Sequence, residues 1–324
     1  MNVLSLFDGM SCGRIALERA AVKVDRYFAS EIDKYAMMVS NANYPDIEQL
    51  GDITKIDLTI LPKIDLLIGG SPCQGFSFSG KQLNFDDPRS KLFFDYVNIL
   101  KTLKPKYFLL ENVKMKKEYE SIITEMLGVE PIEINSSLVS AQNRKRLYWT
   151  NIPGVVTPVD RNIRWGDVRE HNVNKQYYSY NAMNWIKNHS IRKNGKKLKI
   201  HRDDDIMQML EASHMKKYSS QRYFGIIDTP SDIEDKFWRS DKPKFVLYNK
   251  DETRLDIEDN SQALTNNLVN IPDKFSIRYI TPLECERLQT VPDNYSNYVS
   301  DSQRYKMLGN GWTIDVISHI FSNI

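Results

Sequence analysis

Cysteine is scarce in this chain. Cys12, Cys73 and Cys285 stand far apart among 324 residues, with no Cys-x-x-Cys pair and no histidine at ligand spacing. That spacing argues against a disulfide scaffold and against a zinc site, and no metal is expected. Any important cysteine acts alone, in a reducing compartment. An excess of either charge is also lacking: 44 Lys+Arg face 42 Asp+Glu, for a formal charge of +2. A globally basic nucleic-acid coat is thereby excluded, and contacts of that kind must come from local patches. No apolar run approaches the ~18 residues that a membrane span requires. The opening Met1-Asn2-Val3-Leu4-Ser5-Leu6-Phe7 has neither the basic region nor the long apolar stretch of a secretion signal, so a soluble, cytoplasmic protein is expected. No internal repeat or low-complexity tract is found. What is present is 41% hydrophobic residues, too many for disorder. The length suits one large domain, or a catalytic domain carrying a smaller one.

Up to residue 152 the chain alternates strand-like and helix-like stretches. Residues 3–6 are short and apolar and run into Asp8-Gly9, a buried strand followed by a turn. Residues 13–21 suit a helix through Ile15, Ala16, Leu17 and Ala20. A second strand is predicted at 26–30, a helix at 33–42, and a buried strand at 64–68 ending in Gly69-Gly70. Helical spacing returns over 92–103, before Pro105, and residues 107–110 are strand-like again. This alternation predicts an α/β fold with a Rossmann-like, mostly parallel sheet covered on both faces. Ligands bind such sheets at the carboxyl ends of the strands.

Past Ile152 the periodicity is lost. Residues 187–202 carry seven Lys/Arg and no Asp/Glu, and Asp203, Asp204 and Asp205 follow directly. The expected organisation is a catalytic domain over 1–154, a smaller irregular domain over 155–275, and a segment over 276–324 that returns to the first. Thr281-Pro282-Leu283-Glu284 has capping-box spacing, predicting a helix to about Gln289. A last apolar helix is predicted over 314–321, after Gly309-Asn310-Gly311.

Chemistry-bearing residues follow the predicted strand ends. Phe7-Asp8-Gly9-Met10-Ser11 joins a strand to a helix start and suits a nucleotide-type site, although it equally suits a tight turn with a helix cap. It is not the Gly-x-Gly-x-x-Gly fingerprint of a pyrophosphate ligand. Glu31 could accept from ribose hydroxyls, and Asp52 could face an adenine amine. Cys73, behind Pro72, is displayed stiffly past a buried strand; a lone cysteine is usually a small core thiol, but its Gly and Ser flanks are poor core material, and a nucleophile fits as well. Glu111-Asn112-Val113 places a carboxylate at the sheet mouth, either an acid or an ion-pair partner. In Gln142-Asn143-Arg144-Lys145-Arg146, the two arginines fall on one face of an extended segment.

The ordered co-occurrence of these motifs resembles the cytosine-C5 DNA methyltransferase family. Phe7-Asp8-Gly9, Glu31, Asp52, Pro72-Cys73-Gln74, Glu111-Asn112-Val113 and Gln142-x-Arg144-x-Arg146 carry the likeness. So do Arg278-x-x-Thr281-Pro282-x-Glu284-x-x-Arg287-Leu288-Gln289 and Leu308-Gly309-Asn310-Gly311. The likeness covers about 1–152 and 276–324 and is closest to the small bacterial and phage enzymes over Ser77, Ser79-Gly80-Lys81-Gln82, Arg89 and Leu92-Phe93-Phe94-Asp95. Ser11 departs from the family's usual glycine, and Asp8 and Trp312 are similar to the eukaryotic de novo branch; a change in cofactor contacts is the expected consequence.

The resemblance implies a class I methyltransferase fold with a target-recognition domain, and S-adenosyl-L-methionine as cofactor. Phe7, Asp8, Gly9, Met10, Ser11, Glu31, Ile32, Asp52, Ile53, Pro72, Leu92, Asn310 and Trp312 would bind it. Cys73 would add to C6 of a cytosine flipped out of double-stranded DNA, and Glu111 would bond N3 and the exocyclic amine. Arg146, with Arg144 nearby, would hold O2. Ser77, Ser79, Lys81 and Arg89 would face DNA from a mobile loop. The basic stretch 187–202 is a candidate for phosphate contact; Gln221-Arg222-Tyr223 and residues 261–267 carry base-reading side-chain types. A cognate restriction endonuclease is a candidate partner, and a nucleoid-associated monomer is the natural expectation. The alternatives are the tRNA-methylating branch of the same family, whose Cys-Phe-Thr signature finds no cysteine between Cys73 and Cys285, and a catalytically silent DNA-binding paralogue. A nicotinamide-dependent oxidoreductase would share the sheet but has no use for Pro72-Cys73-Gln74.

Overall fold

The computed structural model describes residues 1–71, 88–170, 199–201, 206–210, 224–228, 247–248, 254–255, 276–278 and 280–324. The first part runs β1 (Asn2–Leu6), α1 (Cys12–Arg19), β2 (Arg26–Ser30), α2 (Lys34–Asn43), β3 (Glu48–Gln49), β4 (Leu66–Gly69), α3 (Pro88–Leu103), β5 (Tyr107–Val113), α4 (Lys117–Leu127), β6 (Ile132–Asn135), β7 (Gln142–Asn143) and β8 (Lys145–Thr150). A seven-stranded sheet has the order β3-β2-β1-β4-β5-β8-β6. Its first five strands are parallel, while β8 runs antiparallel to both β5 and β6. The predicted α/β fold with a mostly parallel sheet is the one observed.

Side-chain alternation explains the layers. Successive strand residues point to opposite faces, and here both faces are apolar. Val3, Tyr27, Ala29, Leu66, Ile68, Leu109 and Tyr148 belong to one core, with Ile15, Ala16 and Leu17 of α1 and Val39 of α2. Leu4, Leu6, Phe28, Leu67, Leu110, Leu147 and Trp149 belong to the other, under Phe93, Tyr96 and Val97 of α3 and Tyr119, Ile123 and Leu127 of α4. Burying one such Leu or Ile side chain contributes roughly 1.5–3 kcal/mol. α4 stops at Gly128, whose φ of 71° is easily adopted only without a Cβ.

Two departures from expectation affect the site. β5 continues to Val113, so Glu111 and Asn112 lie within the strand and not after it, because β8 pairs along their length. The extended segment expected at 142–146 breaks at Arg144, between β7 and β8.

Downstream come α5 (Trp165–Val168), β9 (Lys199–His201), β10 (Met207–Gln208), β11 (Phe224–Asp228), β12 (Leu247–Tyr248), β13 (Arg254–Leu255) and β14 (Ser276–Arg278). β14, β11 and β9 form a three-stranded sheet, while β10 pairs with β7. Trp165, Met207 and Leu210 are buried in the same core as α1. The chain then forms α6 (Pro282–Leu288), α7 (Asp301–Asn310) and α8 (Ile314–Phe321). The predicted capping box closes α6: Glu284 N–H donates to Thr281 Oγ1 at 3.1 Å and Thr281 N–H to Glu284 Oε2 at 2.8 Å. α8 packs its apolar face on α1. Among the described residues, no helix is long and apolar enough to cross a membrane.

Candidate active site

Because β1, β2, β4 and β5 are parallel, their carboxyl ends share one edge, where Phe7, Glu31, Gly70 and Val113 emerge. β8, running the other way, begins at that edge with Lys145 and Arg146. The sheet thus collects five chain segments around one cleft.

The first segment is a strained loop. Phe7, Gly9 and Ser11 have φ of 58°, 61° and 63°, a region that costs an L-residue roughly 1–2 kcal/mol and glycine almost nothing. Ser11 is therefore strained, and its side chain offsets the strain locally. Its hydroxyl donates to Asp8 Oδ2 at 2.6 Å and lies 2.6 Å from Ser40 Oγ. Tyr27 donates to Asp8 Oδ1 at 2.7 Å. Burial pushes the Asp8 carboxyl up from 3.8 to about 6, against the lowering effect of its hydroxyl donors. Asp8 and Ser11 side chains point into the protein, so the departure expected to alter ligand contacts is an internal network. Met10 is likewise buried, its carbonyl accepting from Tyr295 at 2.7 Å.

Glu31 braces this loop. Its Oε2 accepts from Gly9 N–H at 2.7 Å, and its Oε1 from Ile32 and Asp33 N–H at 2.7 and 2.8 Å. Beside it Ile32 is 77% exposed, an apolar side chain left in the open. Asp52 Oδ1 accepts from Thr54 N–H and Oγ1 at 3.0 and 2.9 Å, and these bonds lower its pKa. Ile53 and Leu92 pack into the core on the α3 side.

At the centre Glu111 and Arg146 meet. Val113 pairs with Arg146 and Glu111 with Tyr148, so Glu111 and Arg146 are diagonal neighbours on one face of the sheet. Arg146 Nε lies 2.9 Å from Glu111 Oε1, and Arg146 Nη1 donates to Lys145 O and Met209 Sδ at 2.9 and 3.1 Å. Glu111 Oε2 accepts from Trp312 Nε1 at 3.2 Å. Asn112 Nδ2 donates to Ser71 Oγ at 3.2 Å, fixing the residue before Pro72.

Arg144 is not brought to this pair. Its guanidinium donates to Leu210 O at 3.1 Å, Gly309 O at 3.3 Å and Gly311 O at 2.9 Å. Lying at the break between β7 and β8, it fixes the backbone of two other segments. Asn310 ends α7 exposed to solvent. Sequence reading missed Gln142 and Gln289 as fasteners. Gln142 Nε2 donates to Leu288 O and Gln289 Oε1, both at 3.1 Å; Gln289 Nε2 donates to Leu308 O at 2.6 Å. Buried, paired glutamines carry no periodic signal. Met209, against Arg146, carried none either.

Pro72, Cys73, Ser77, Ser79 and Lys81 lie outside the described residues, as do Gln221-Arg222-Tyr223, residues 261–267 and most of the basic stretch; Arg89 is described only as backbone of α3. The other two thiols are accounted for. Cys12 is buried and pushed up to about 12, and burial also raises Cys285. Neither is a nucleophile at neutral pH.

Residues 1–324 match the family described as C-5 cytosine-specific DNA methylase. The type II methyltransferase M1.ScrFI of Lactococcus lactis subsp. cremoris is 32% identical over 340 residues, covering 98% of this chain and 76% of that protein. The type II methyltransferase M.HpaII of Haemophilus parainfluenzae is 29% identical over 343 residues, covering 97% and 86%. Among solved structures, a DNMT2 mutant of Spodoptera frugiperda superposes with a TM-score of 0.65 at 19% identity, over 99% of this chain and 98% of that one. At that identity the likeness concerns the fold alone.

Proposed function

From the premise that the chain belongs to the C-5 cytosine-specific DNA methylase family and is a DNA (cytosine-5) methyltransferase, we propose that Cys73, Glu111 and Arg146 carry the reaction. One observation bears most of the weight: the Glu111–Arg146 ion pair of 2.9 Å sits on the strand next to β4, and Asn112 grips Ser71, two residues before Cys73. Cys73 thiolate adds to C6 of a cytosine flipped from the duplex, while Glu111, taking up a proton from water as the base docks, donates it at N3. The electron pair displaced from the C5–C6 bond makes C5 nucleophilic. Arg146 holds the acid and faces O2, where positive charge stabilises the adduct. Once C5 carries the methyl group, loss of its proton to solvent, return of the N3 proton to Glu111 and departure of Cys73 as thiolate restore the ring. Arg144 acts at a distance, by holding the Gly311 turn.

The family works with S-adenosyl-L-methionine, which when bound supplies the methyl group. The chain's residues fit it. A Cβ at Gly9 or Gly51 would meet nothing within 4 Å, so both turns face open space. Glu31 keeps lone pairs for hydroxyls beyond its backbone bonds, and exposed Ile32 offers an apolar face to a purine. The loop backbone of Phe7, Gly9 and Ser11, with Asp52, completes this assignment, while Trp312 turns its indole N–H to Glu111. Asp8 contributes through its backbone.

DNA is favoured over tRNA by the family description and by relatives named type II methyltransferases. The same names support a cognate restriction endonuclease as partner. Residues 155–275 would form the target-recognition domain, Ser77, Ser79, Lys81 and Arg89 would touch DNA, and the enzyme would act as a monomer at the nucleoid.

Bisulfite sequencing of DNA from cells expressing the wild type and Cys73→Ser tests the reading. Cytosines in one fixed context are expected to be protected by the wild type alone, with cofactor binding retained by the variant. Protection by Cys73→Ser would refute covalent catalysis through this thiol.

A further inference from the structure

We propose that Trp312 is a positioning residue for the catalytic carboxyl: its indole N–H fixes the orientation of Glu111. This rests on the reading that Glu111 bonds the target ring. A carboxyl that must meet N3 of an incoming base has to be held in plane before the base arrives. Arg146 engages one oxygen of Glu111, and Trp312 Nε1 engages the other at 3.2 Å. With one oxygen held, the group could still rotate about its last bond; with both held from different elements, it cannot.

The indole is itself clamped on both sides. Gly311 O, just before it, accepts from Arg144 Nη2 at 2.9 Å and Gln289 Nε2 at 3.2 Å. Thr313 Oγ1, just after it, donates to Gln289 Oε1 at 2.8 Å and accepts from Ser136 Oγ at 2.9 Å. A path from Arg144 to the acid therefore runs through Gly311 and Trp312. Gly70 completes the device. A Cβ there would lie 2.9 Å from Trp312 Nε1 and 3.0 Å from Glu111 Oε2, pressed against donor and acceptor alike from beside their bond. Residue 70 is kept free of a side chain where these two groups meet.

Trp312→Phe removes the N–H and keeps an aromatic ring. Single-turnover methyl transfer to a target duplex is expected to fall about tenfold or more, the effect of a hydrogen bond to a charged group. Affinities for S-adenosyl-L-methionine and DNA, measured by calorimetry, should change by less than about threefold, since an interaction lost only in reaction lowers rate and not binding. Trp312→Phe combined with Glu111→Ala should cost less than the product of the separate losses. Gly70→Ala, which keeps the indole N–H but crowds it against Glu111, should slow transfer in the same way and decides the matter should Trp312→Phe fail to fold. An unchanged rate, or a loss of cofactor affinity as large as the loss of rate, would overturn the proposal. Multiplicative losses alongside an inactive Glu111→Ala would overturn the Trp312 link alone. Wild-type transfer by Glu111→Ala would remove the assigned role of Glu111, and the link with it.

Discussion

Asp8 gives a prediction with a worked magnitude. Its carboxyl is 7% exposed and its pKa is raised from 3.8 to about 6, with burial as the main cause. A raised acid binds its proton more tightly in the folded state. The stability this confers is complete below pH 3.8 and is lost as pH rises through about 6. The full loss is about 3 kcal/mol, of which about half falls between pH 5 and 8. Asp8→Asn abolishes the titration while keeping an acceptor for Tyr27 and a group able to bond Ser11. Urea unfolding of both proteins at pH 5 and pH 8 isolates the effect, since all other titrations are shared. Asp8→Asn should gain about 1.5 kcal/mol on the wild type over that interval. Parallel stabilities at the two pH values would refute the claim that this carboxyl is desolvated and ionised at pH 8.

The same loop and the clamp behind it supply two further predictions. Ser11→Gly relieves roughly 1 kcal/mol of backbone strain but strips a donor from buried Asp8, which costs about 1.5–3 kcal/mol. The net effect is a lower Tm at pH 8, shrinking near pH 4 where Asp8 is neutral; a higher Tm at pH 8 would show that strain dominates. Arg144→Lys keeps the charge but loses the fork that reaches three carbonyls. It should destabilise by about 2 kcal/mol and slow transfer without weakening DNA binding, which titration calorimetry and single-turnover assays together check.

The sheet was legible because its strands are short apolar runs bounded by turn residues. β2 was predicted at its observed bounds, and α8 at its own. α4 was overlooked although Tyr119, Ile123 and Leu127 have helical spacing. α7 was harder to read: one of its buried positions is Arg304, whose guanidinium is paired with buried Glu286 at 3.1 Å and breaks the apolar stripe. Glu111 and Arg146, singled out through their motifs, are brought together by the sheet. The bonds of Arg144 to three backbone carbonyls were not foreseen, because alternation assumes an unbroken strand. The Asp8–Ser11–Ser40 network and the seating of Met209 on Arg146 join residues remote in sequence, which no local pattern reports.

The cover that α8 lays over α1 sets the order of synthesis against the order of assembly. A ribosome delivers the loop of Phe7–Ser11 nearly three hundred residues before Tyr295 and Trp312, which complete its surroundings. A nascent chain holds nearly all its chemistry early and can use none of it. Growing chains therefore leave the genome unmarked until the segment carrying Tyr295 and Trp312 has been made.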